Sequence, residues 1–155
     1  MIAVILAAGM ASRLRPLTND RPKCLLEVAR RTLLQRTVDA LLEAGLREFV
    51  VVTGYRGEMI RQFLTKQYPE QTFHFIDNAV FDKTNNIYSL WLTRPFTDGK
   101  AFLLLDSDIL FDPALLRPLL DTPTTALAVN RHELGEEEVK TIVDEAGQVV
   151  GIGKQ

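Results

Sequence analysis

The chain has 155 residues, of which 46% are hydrophobic and 25% charged, a composition typical of one soluble globular domain. Its formal net charge is −2, so no strongly basic surface for nucleic acid is expected. The single cysteine, Cys24, excludes an internal disulfide and any CxxC zinc or redox site. The apolar run at residues 2–8 is too short to cross a membrane and lacks a basic leader, so a cytoplasmic protein without a membrane partner is expected.

Buried strands are expected to alternate with amphipathic helices along most of the chain. Short runs that are apolar on both faces are typical of parallel strands between helix layers, and they predict strands at 2–7, 49–53, 73–76, 101–105 and 126–129. Apolar residues at helical spacing predict helices over 34–42, 59–64 and 85–93. Gly45 stands where a left-handed C-terminal cap would follow the first helix, and Pro95 is expected to end the third.

This alternation predicts an α/β fold of three layers, α/β/α, around a Rossmann-like open sheet that is mostly parallel. Residues 139–143 and 149–152 flank a turn at 144–147 and predict a hairpin, so the sheet is expected to end mixed. The whole chain, 1–155, is expected to form one domain. Ligands of such sheets bind beyond the carboxyl ends of the strands, which directs attention to the residues that follow each one.

The connection after the first strand, residues 8–22, combines small residues with cations. Mostly small side chains at 7–12 let backbone amides approach a ligand closely, and oriented amides bind anions. Arg13, Arg15 and Lys23 bring positive charge to the same strand end, which suits the phosphates of a nucleoside triphosphate. A glycine turn followed by solvated basic residues is the alternative, but the length and position of the loop favour a phosphate site. Neither a Rossmann fingerprint nor a Walker loop is present.

Asp106 and Asp108 follow the fourth predicted strand and stand two residues apart. On an extended segment this spacing places both carboxylates on one face. Carboxylates beside a triphosphate suit Mg²⁺, which takes oxygen ligands and keeps several waters. One of the two could instead cap the next helix, but Asp112 beside Pro113 already fills that position. The sequence therefore predicts a magnesium site after this strand.

A third candidate segment is residues 78–92, which follow the third predicted strand. Within it, Asn85 and Asn86 stand at the start of the helix predicted over 85–93. The side-chain amides of this pair could read a base edge or a ribose. Asparagine is also a common N-cap, so one of the two is expected to cap the helix. Ile87, Leu90 and Trp91 are expected to lie in the core. These residues alone leave nucleotide contact and helix capping equally open.

The first loop closely resembles the signature of the nucleotidyltransferases that activate phosphorylated small molecules. The match covers residues 6–14, Pro16, Thr18 and the pair 22–23, and it departs from the family at Ala11, where glycine is usual. The resemblance implies that Arg13 and Lys23 are catalytic and that Asp108, with Asp106 beside it, holds the metal. It also implies nucleotide contacts from Leu6, Ala7, Ala8, Gly9, Met10, Ala11, Ser12, Arg13 and Asp106.

Two further segments extend this resemblance. The run at 84–90 resembles part of the nucleotide pocket of the bacterial choline-phosphate cytidylyltransferases. The region at 138–154 is similar to related sugar-phosphate and inositol-phosphate nucleotidyltransferases. The first of these resemblances implies cytidine-side contacts from Asn85, Asn86 and Ser89, with Asn78 as a further nucleotide-binding residue.

The reaction implied by the resemblance is a Mg²⁺-dependent transfer of a nucleotidyl group to a phosphorylated small molecule, with release of pyrophosphate. CTP and phosphocholine are the favoured substrates, and a sugar 1-phosphate or an inositol phosphate is the alternative acceptor. A non-catalytic nucleotide-binding module is a further alternative, because family members carry a second metal-ligating aspartate downstream and the acceptor-binding part is expected to be missing here. The sequence leaves open whether the chain forms a homo-oligomer.

Overall fold

The structure is a computed structural model that describes residues 1–130 and 139–153. Its strands are β1 (Ile2–Ala7), β2 (Glu27–Val28), β3 (Arg31–Thr32), β4 (Glu48–Thr53), β5 (Thr72–Asp77), β6 (Phe102–Asp106), β7 (Lys140–Val143) and β8 (Val149–Gly153). Its α-helices are α1 (Leu33–Glu43), α2 (Gly57–Gln67), α3 (Asn86–Leu92), α4 (Arg94–Thr97) and α5 (Leu116–Asp121). Single 3₁₀ turns occur at Ser12–Leu14, Lys23–Leu25 and Pro113–Leu115. His132 and the acidic run at 136–138, to which the sequence assigns no role, lie outside the described residues.

Four parallel strands form the central sheet in the order β5-β4-β1-β6. Parallel neighbours need a crossover connection, and α1 and α2 supply it between β1 and β4 and between β4 and β5. All six residues of β1 are buried, because the strand has a neighbour on each side and apolar layers on both faces. The carboxyl ends of β1 and β6 meet at one edge, where Leu6 stands opposite Asp106.

The two faces of the sheet carry separate apolar clusters. On one face Ile5 and Val51 pack with Leu34 of α1 and Leu64 of α2. On the other face Val4, Leu6, Val50 and Val52 pack with Leu90 of α3 and Phe96 of α4. This arrangement confirms the three-layer α/β prediction, with helices covering a parallel sheet from both sides.

Local sequence signals account for several helix ends. Thr32 caps α1, since its hydroxyl oxygen accepts a hydrogen bond from the backbone N–H of Gln35 at 3.0 Å. Gly45 follows the same helix with φ +93°, the left-handed conformation that glycine tolerates best. The carboxylate of Asp112 accepts from the N–H of Ala114 at 2.9 Å, so the capping role predicted for it is confirmed.

The structure corrects the prediction for the helix after β5. Pro95 does not end α3, which stops at Leu92; it stands in the first turn of α4, where its missing N–H costs no hydrogen bond. Ile87 and Trp91 are not core residues, since they are 73% and 53% exposed. They lie four residues apart on one side of a seven-residue helix, and the opposite side, with Leu90, is the one that packs against the sheet.

The prediction for the last third of the chain is correct in part. No strand forms at 126–129, where Leu127 and Val129 are each more than half exposed and no neighbouring strand pairs with the run in the described residues. The predicted hairpin does form, as β7 and β8. Among the described residues it is a separate two-stranded sheet and not an extension of the central one.

The chain divides into two compact units. The first unit, Met1–Leu120, contains the central sheet and its helices, and the second begins at Asp121 and contains the β7–β8 hairpin. Within residues 1–130 and 139–153, no helix has the length and apolar character needed to traverse a lipid bilayer.

Candidate active site at the ends of strands β1 and β6

A cavity of about 490 Å³ opens beyond the carboxyl ends of β1 and β6, where ligands of parallel sheets bind. Its walls come from the first loop, the 3₁₀ turn at Lys23–Leu25, the start of α3 and the segment after β6. The lining residues are Leu6, Ala7, Ala8, Gly9, Ala11, Arg13, Leu14, Pro22, Lys23, Cys24, Asn86, Ser89, Asp106, Ser107 and Asp108.

The first loop turns sharply at Ala11. This residue has φ 48° and ψ 46°, a left-handed conformation that glycine adopts without strain. The buried hydroxyl of Thr18 donates a hydrogen bond to the carbonyl oxygen of Ala11 at 3.0 Å, which holds the turn in place. The loop therefore keeps the geometry that a glycine would allow, although the position carries an alanine.

Replacing Ala11 with glycine is expected to raise the free energy of unfolding by about 0.5–1 kcal/mol. Relief of the left-handed conformation contributes roughly 1–2 kcal/mol, and the greater chain entropy of glycine in the unfolded state offsets about 0.5–1 kcal/mol of it. Urea denaturation of both proteins measures the difference. A less stable Ala11→Gly protein would contradict a strained loop at this position.

Lys23 and Asp108 form an ion pair inside the cavity. The Nζ atom of Lys23 lies 2.7 Å from Oδ2 of Asp108, and each side chain is about one third exposed, at 34% and 36%. The two residues come from different segments of the lining, one after the first loop and the other after β6. The contact joins the cationic and acidic candidates of the sequence in a single site, and Arg13 lines the same cavity.

Asp106 and Asp108 reach the cavity on either side of a buried residue. The N–H of Ser107 donates to the carbonyl oxygen of Leu6 at 3.0 Å, so the chain continues alongside β1 for one residue beyond β6. Burial of the carboxyl group raises the pKa of Asp106 above its ordinary value, the charge of Asp108 raises it further, and Lys23 opposes both effects. The two carboxylates are therefore close enough to interact electrostatically.

The asparagines of the third segment take different positions. Asn86 lines the cavity and donates from Nδ2 to Oδ1 of Asp106 at 3.0 Å. Asn85 caps α3, because its side-chain oxygen accepts from the backbone N–H groups of Ile87 and Tyr88. Capping explains Asn85, whereas Asn86 is the member of the pair that belongs to the cavity.

Asn78 is buried, where its side chain forms hydrogen bonds with neighbouring residues, and it does not line the cavity. It is 1% exposed, and its amide nitrogen donates to the hydroxyl oxygens of Thr84 and Ser89, each at 3.1 Å. Its oxygen accepts from the N–H of Val80 at 3.1 Å. Ser89 in turn lines the cavity. The sequence candidates that fall outside the lining are Met10, Ser12, Arg15, Asn78 and Asn85, and the nucleotide or phosphate contacts expected of them stay predictions.

Four lining residues were not sequence candidates for the site: Leu14, Pro22, Cys24 and Ser107. Ser107 could have been found from its place between the two aspartates. Cys24 is only 2% exposed. Burial raises the pKa of the Cys24 thiol to about 12.

The Cys24 thiol is expected to react very slowly with thiol reagents in the folded protein. With a pKa of about 12, roughly one thiol in ten thousand is ionised at pH 8, and the thiolate is the reactive form. Titration with an aromatic disulfide should therefore detect almost no free thiol until denaturant is added, and one per chain afterwards. Rapid reaction of the native protein would show that the turn at Lys23–Leu25 opens readily.

Residues 3–146 match the MobA-like NTP transferase domain family, and the chain belongs to that family. It is 38% identical over 130 residues to the CMP-5'-(3-aminopropyl)phosphonate synthase of Streptomyces rubellomurinus, covering 83% of this chain and 20% of the relative.

Two solved structures share the fold. The inositol-1-phosphate CTP transferase from T. maritima has a TM-score of 0.76 and 26% identity, covering 99% of this chain and 64% of its own. The CTP:phosphocholine cytidylyltransferase from Streptococcus pneumoniae has a TM-score of 0.71 and 25% identity, covering 97% of this chain and 63% of its own. The resemblance to nucleotidyltransferases drawn from the sequence is confirmed. The chain spans less than two thirds of the length of each of these three relatives.

Proposed function

We propose that this chain transfers a nucleotidyl group from a nucleoside triphosphate to a phosphorylated small molecule, with release of pyrophosphate. The observation that carries the proposal is the shared cavity in which Lys23 of the first loop region meets Asp108 after β6. Membership of the MobA-like NTP transferase domain family supports the same chemistry. CTP is the favoured nucleotide, because the printed names of all three relatives contain a cytidine nucleotide, CTP in two of them and CMP in the third.

The donor set of the cavity suits Mg²⁺. Asp106 and Asp108 supply carboxylate oxygens, and Asp108 already faces a positive charge, the ammonium group of Lys23. No group of three or more histidine, cysteine or acidic side chains fit for a metal occurs in the described part of the chain. Mg²⁺ commonly binds through one or two carboxylates together with substrate phosphates and water, so two are sufficient. When bound, the metal would supply charge neutralisation at the phosphates.

The first loop would hold the triphosphate. Backbone amides at 8–12 and the guanidinium of Arg13 stand at the carboxyl end of β1, where they can donate to phosphate oxygens. Interactions of this kind lower the barrier when they strengthen as charge shifts onto the departing pyrophosphate. Arg13 is therefore assigned to the leaving group.

Lys23 would bring the two substrates together. A phosphate oxygen of the acceptor attacks the α-phosphorus of the nucleotide, and the bond from that phosphorus to the bridging oxygen of pyrophosphate breaks. The second pKa of a phosphate monoester is about 6, so the nucleophile is ionised at neutral pH and no protein base is required. Lys23 can neutralise charge between the attacking and attacked phosphates, while Asn86 orients Asp106 through its hydrogen bond.

The proposal is tested by measuring pyrophosphate release with matched substrate pairs. CTP with phosphocholine is compared with CTP plus inositol 1-phosphate, and with UTP or dTTP plus glucose 1-phosphate. Release that requires both CTP and phosphocholine is the expected result, and release with another pair would keep the chemistry while changing the acceptor or the base. Tight CTP binding without release from any pair would assign the chain as a nucleotide-binding module and contradict the transferase proposal.

A further inference from the structure

Tyr55, two residues after β4, connects both ends of the first loop. Its backbone N–H donates to the carbonyl oxygen of Ala8 at 3.0 Å, where the loop begins. Its hydroxyl lies 2.9 Å from the carbonyl oxygen of Thr18 and 2.8 Å from that of Asn19, where the loop returns. Tyr55, which follows the neighbouring strand β4, thus holds both ends of the loop that carries the proposed phosphate-binding amides.

The position of the Tyr55 ring is fixed by its surroundings. Gly54 brings the backbone so close to the loop that a Cβ there would lie 2.7 Å from the carbonyl oxygen of Ala8 and 2.8 Å from the side chain of Phe81. The ring of Phe81 packs edge-on against that of Tyr55, with centroids 6.4 Å apart. The hydroxyl therefore points at the loop without the freedom of an exposed tyrosine.

Arg56 strengthens the same connection. Its Nε donates to the hydroxyl oxygen of Tyr55 at 3.2 Å, and its Nη2 donates to the carbonyl oxygen of Asn19 at 3.1 Å. A phenol has one proton to donate, and a donor on its oxygen leaves that proton to the two loop carbonyls. Charge-assisted hydrogen bonds of this kind are stronger than neutral ones.

We infer that Tyr55 is a positioning residue of the nucleotide site, which holds the first loop in the conformation that binds phosphates. The effect passes through Thr18, whose hydroxyl donates to the carbonyl oxygen of Ala11 at the left-handed turn. Tyr55 does not line the cavity, and neither apolar cluster of the sheet includes it, so its contacts serve the loop and not the core. The inference rests on the proposed function of the loop.

The test replaces only the hydroxyl, in Tyr55→Phe, and uses Tyr68→Phe as a matched control. The hydroxyl of Tyr68 also has two partners, the carbonyl oxygen of Gln35 and the carboxylate of Asp39, but these lie on α1. Calorimetry with CTP and Mg²⁺ is expected to show binding about three- to tenfold weaker for Tyr55→Phe, because a smaller fraction of molecules has the binding-competent loop. The affinity of Tyr68→Phe is expected to equal that of the original chain.

Hydrogen exchange without nucleotide separates a failure of this inference from a failure of the proposed function. Faster exchange of the amides at 11–19 in Tyr55→Phe, with no such change in Tyr68→Phe, is the expected result. Unchanged exchange, or equal CTP affinity in the two variants, would overturn the positioning role. If the original chain binds no nucleotide at all, the proposed function is wrong and the inference falls with it.

Discussion

Lys23→Met is expected to lower the rate of pyrophosphate release by at least about 100-fold while leaving the fold intact. The loss of one positioned positive charge at a reacting phosphate typically costs about two to three orders of magnitude in turnover. The ion pair that the substitution removes is about one third exposed, so its loss should cost less than about 1 kcal/mol of stability. Steady-state release from CTP and phosphocholine gives the rate, and thermal unfolding checks the fold.

A matched substitution separates local from general effects of charge. Lys66, in the last turn of α2, is exposed and does not line the cavity, so Lys66→Met removes one positive charge at a distance from the site. Its rate is expected to equal that of the original chain. Near-normal turnover in Lys23→Met, or an equal loss in both variants, would show that Lys23 does not act at the phosphates.

The parallel strands could be predicted because a short run of apolar residues on both faces is typical of a strand buried between two helix layers. The run at 2–7 is apolar on both faces, and it forms β1 with every residue buried. The same pattern predicted β4 and β5 to within one residue at each end. The run at 126–129 failed because an apolar run is a strand only when another strand pairs with it, and none does so in the described residues.

The location of the candidate site could be predicted from the sequence, but the individual contacts between its side chains could not. Parallel strands direct the residues after 7 and 105 to one edge, so Arg13, Lys23 and Asp108 could be expected near one another. The 2.7 Å contact between Lys23 and Asp108 joins residues that are far apart in the chain. It depends on the path that the first loop takes from the end of β1 to Lys23. No local pattern encodes that path, because it depends on the left-handed Ala11 and on the hydroxyl of Tyr55.

The helix at Asn86–Leu92 shows the limit of periodicity. Spacing identified the helix, and the capping rule indicated that Asn85 or Asn86 caps it; the structure shows that the cap is Asn85. Periodicity does not tell which side of so short a helix faces the sheet. It therefore predicts Ile87 and Trp91 in the core, although both are exposed. The exposed side carries a stacked pair of rings, Tyr88 and Trp91, with centroids 5.6 Å apart. Only the packing of Leu90 and Phe96 decides the orientation.

Asp108→Asn is expected to abolish measurable turnover and to weaken binding of a divalent cation by at least about tenfold. The substitution keeps the shape of the side chain but removes the negative charge that a hard cation requires. Asp112→Asn is the matched control, because asparagine caps a helix as well as aspartate does and the residue does not line the cavity. Mn²⁺ titration followed by electron paramagnetic resonance measures the affinity without any need for activity.

The same titration distinguishes the two members of the ion pair. Nζ of Lys23 lies 2.7 Å from an oxygen of Asp108, so in the absence of nucleotide the ammonium competes with a metal for that carboxylate. Lys23→Met should therefore bind Mn²⁺ more tightly than the original chain, whereas Asp108→Asn should bind it more weakly, although both lose turnover. If Asp108→Asn binds Mn²⁺ as tightly as the original chain, Asp108 is not the metal ligand and its carboxylate serves only to hold Lys23; if Lys23→Met does not bind it more tightly, the ammonium does not compete with the metal.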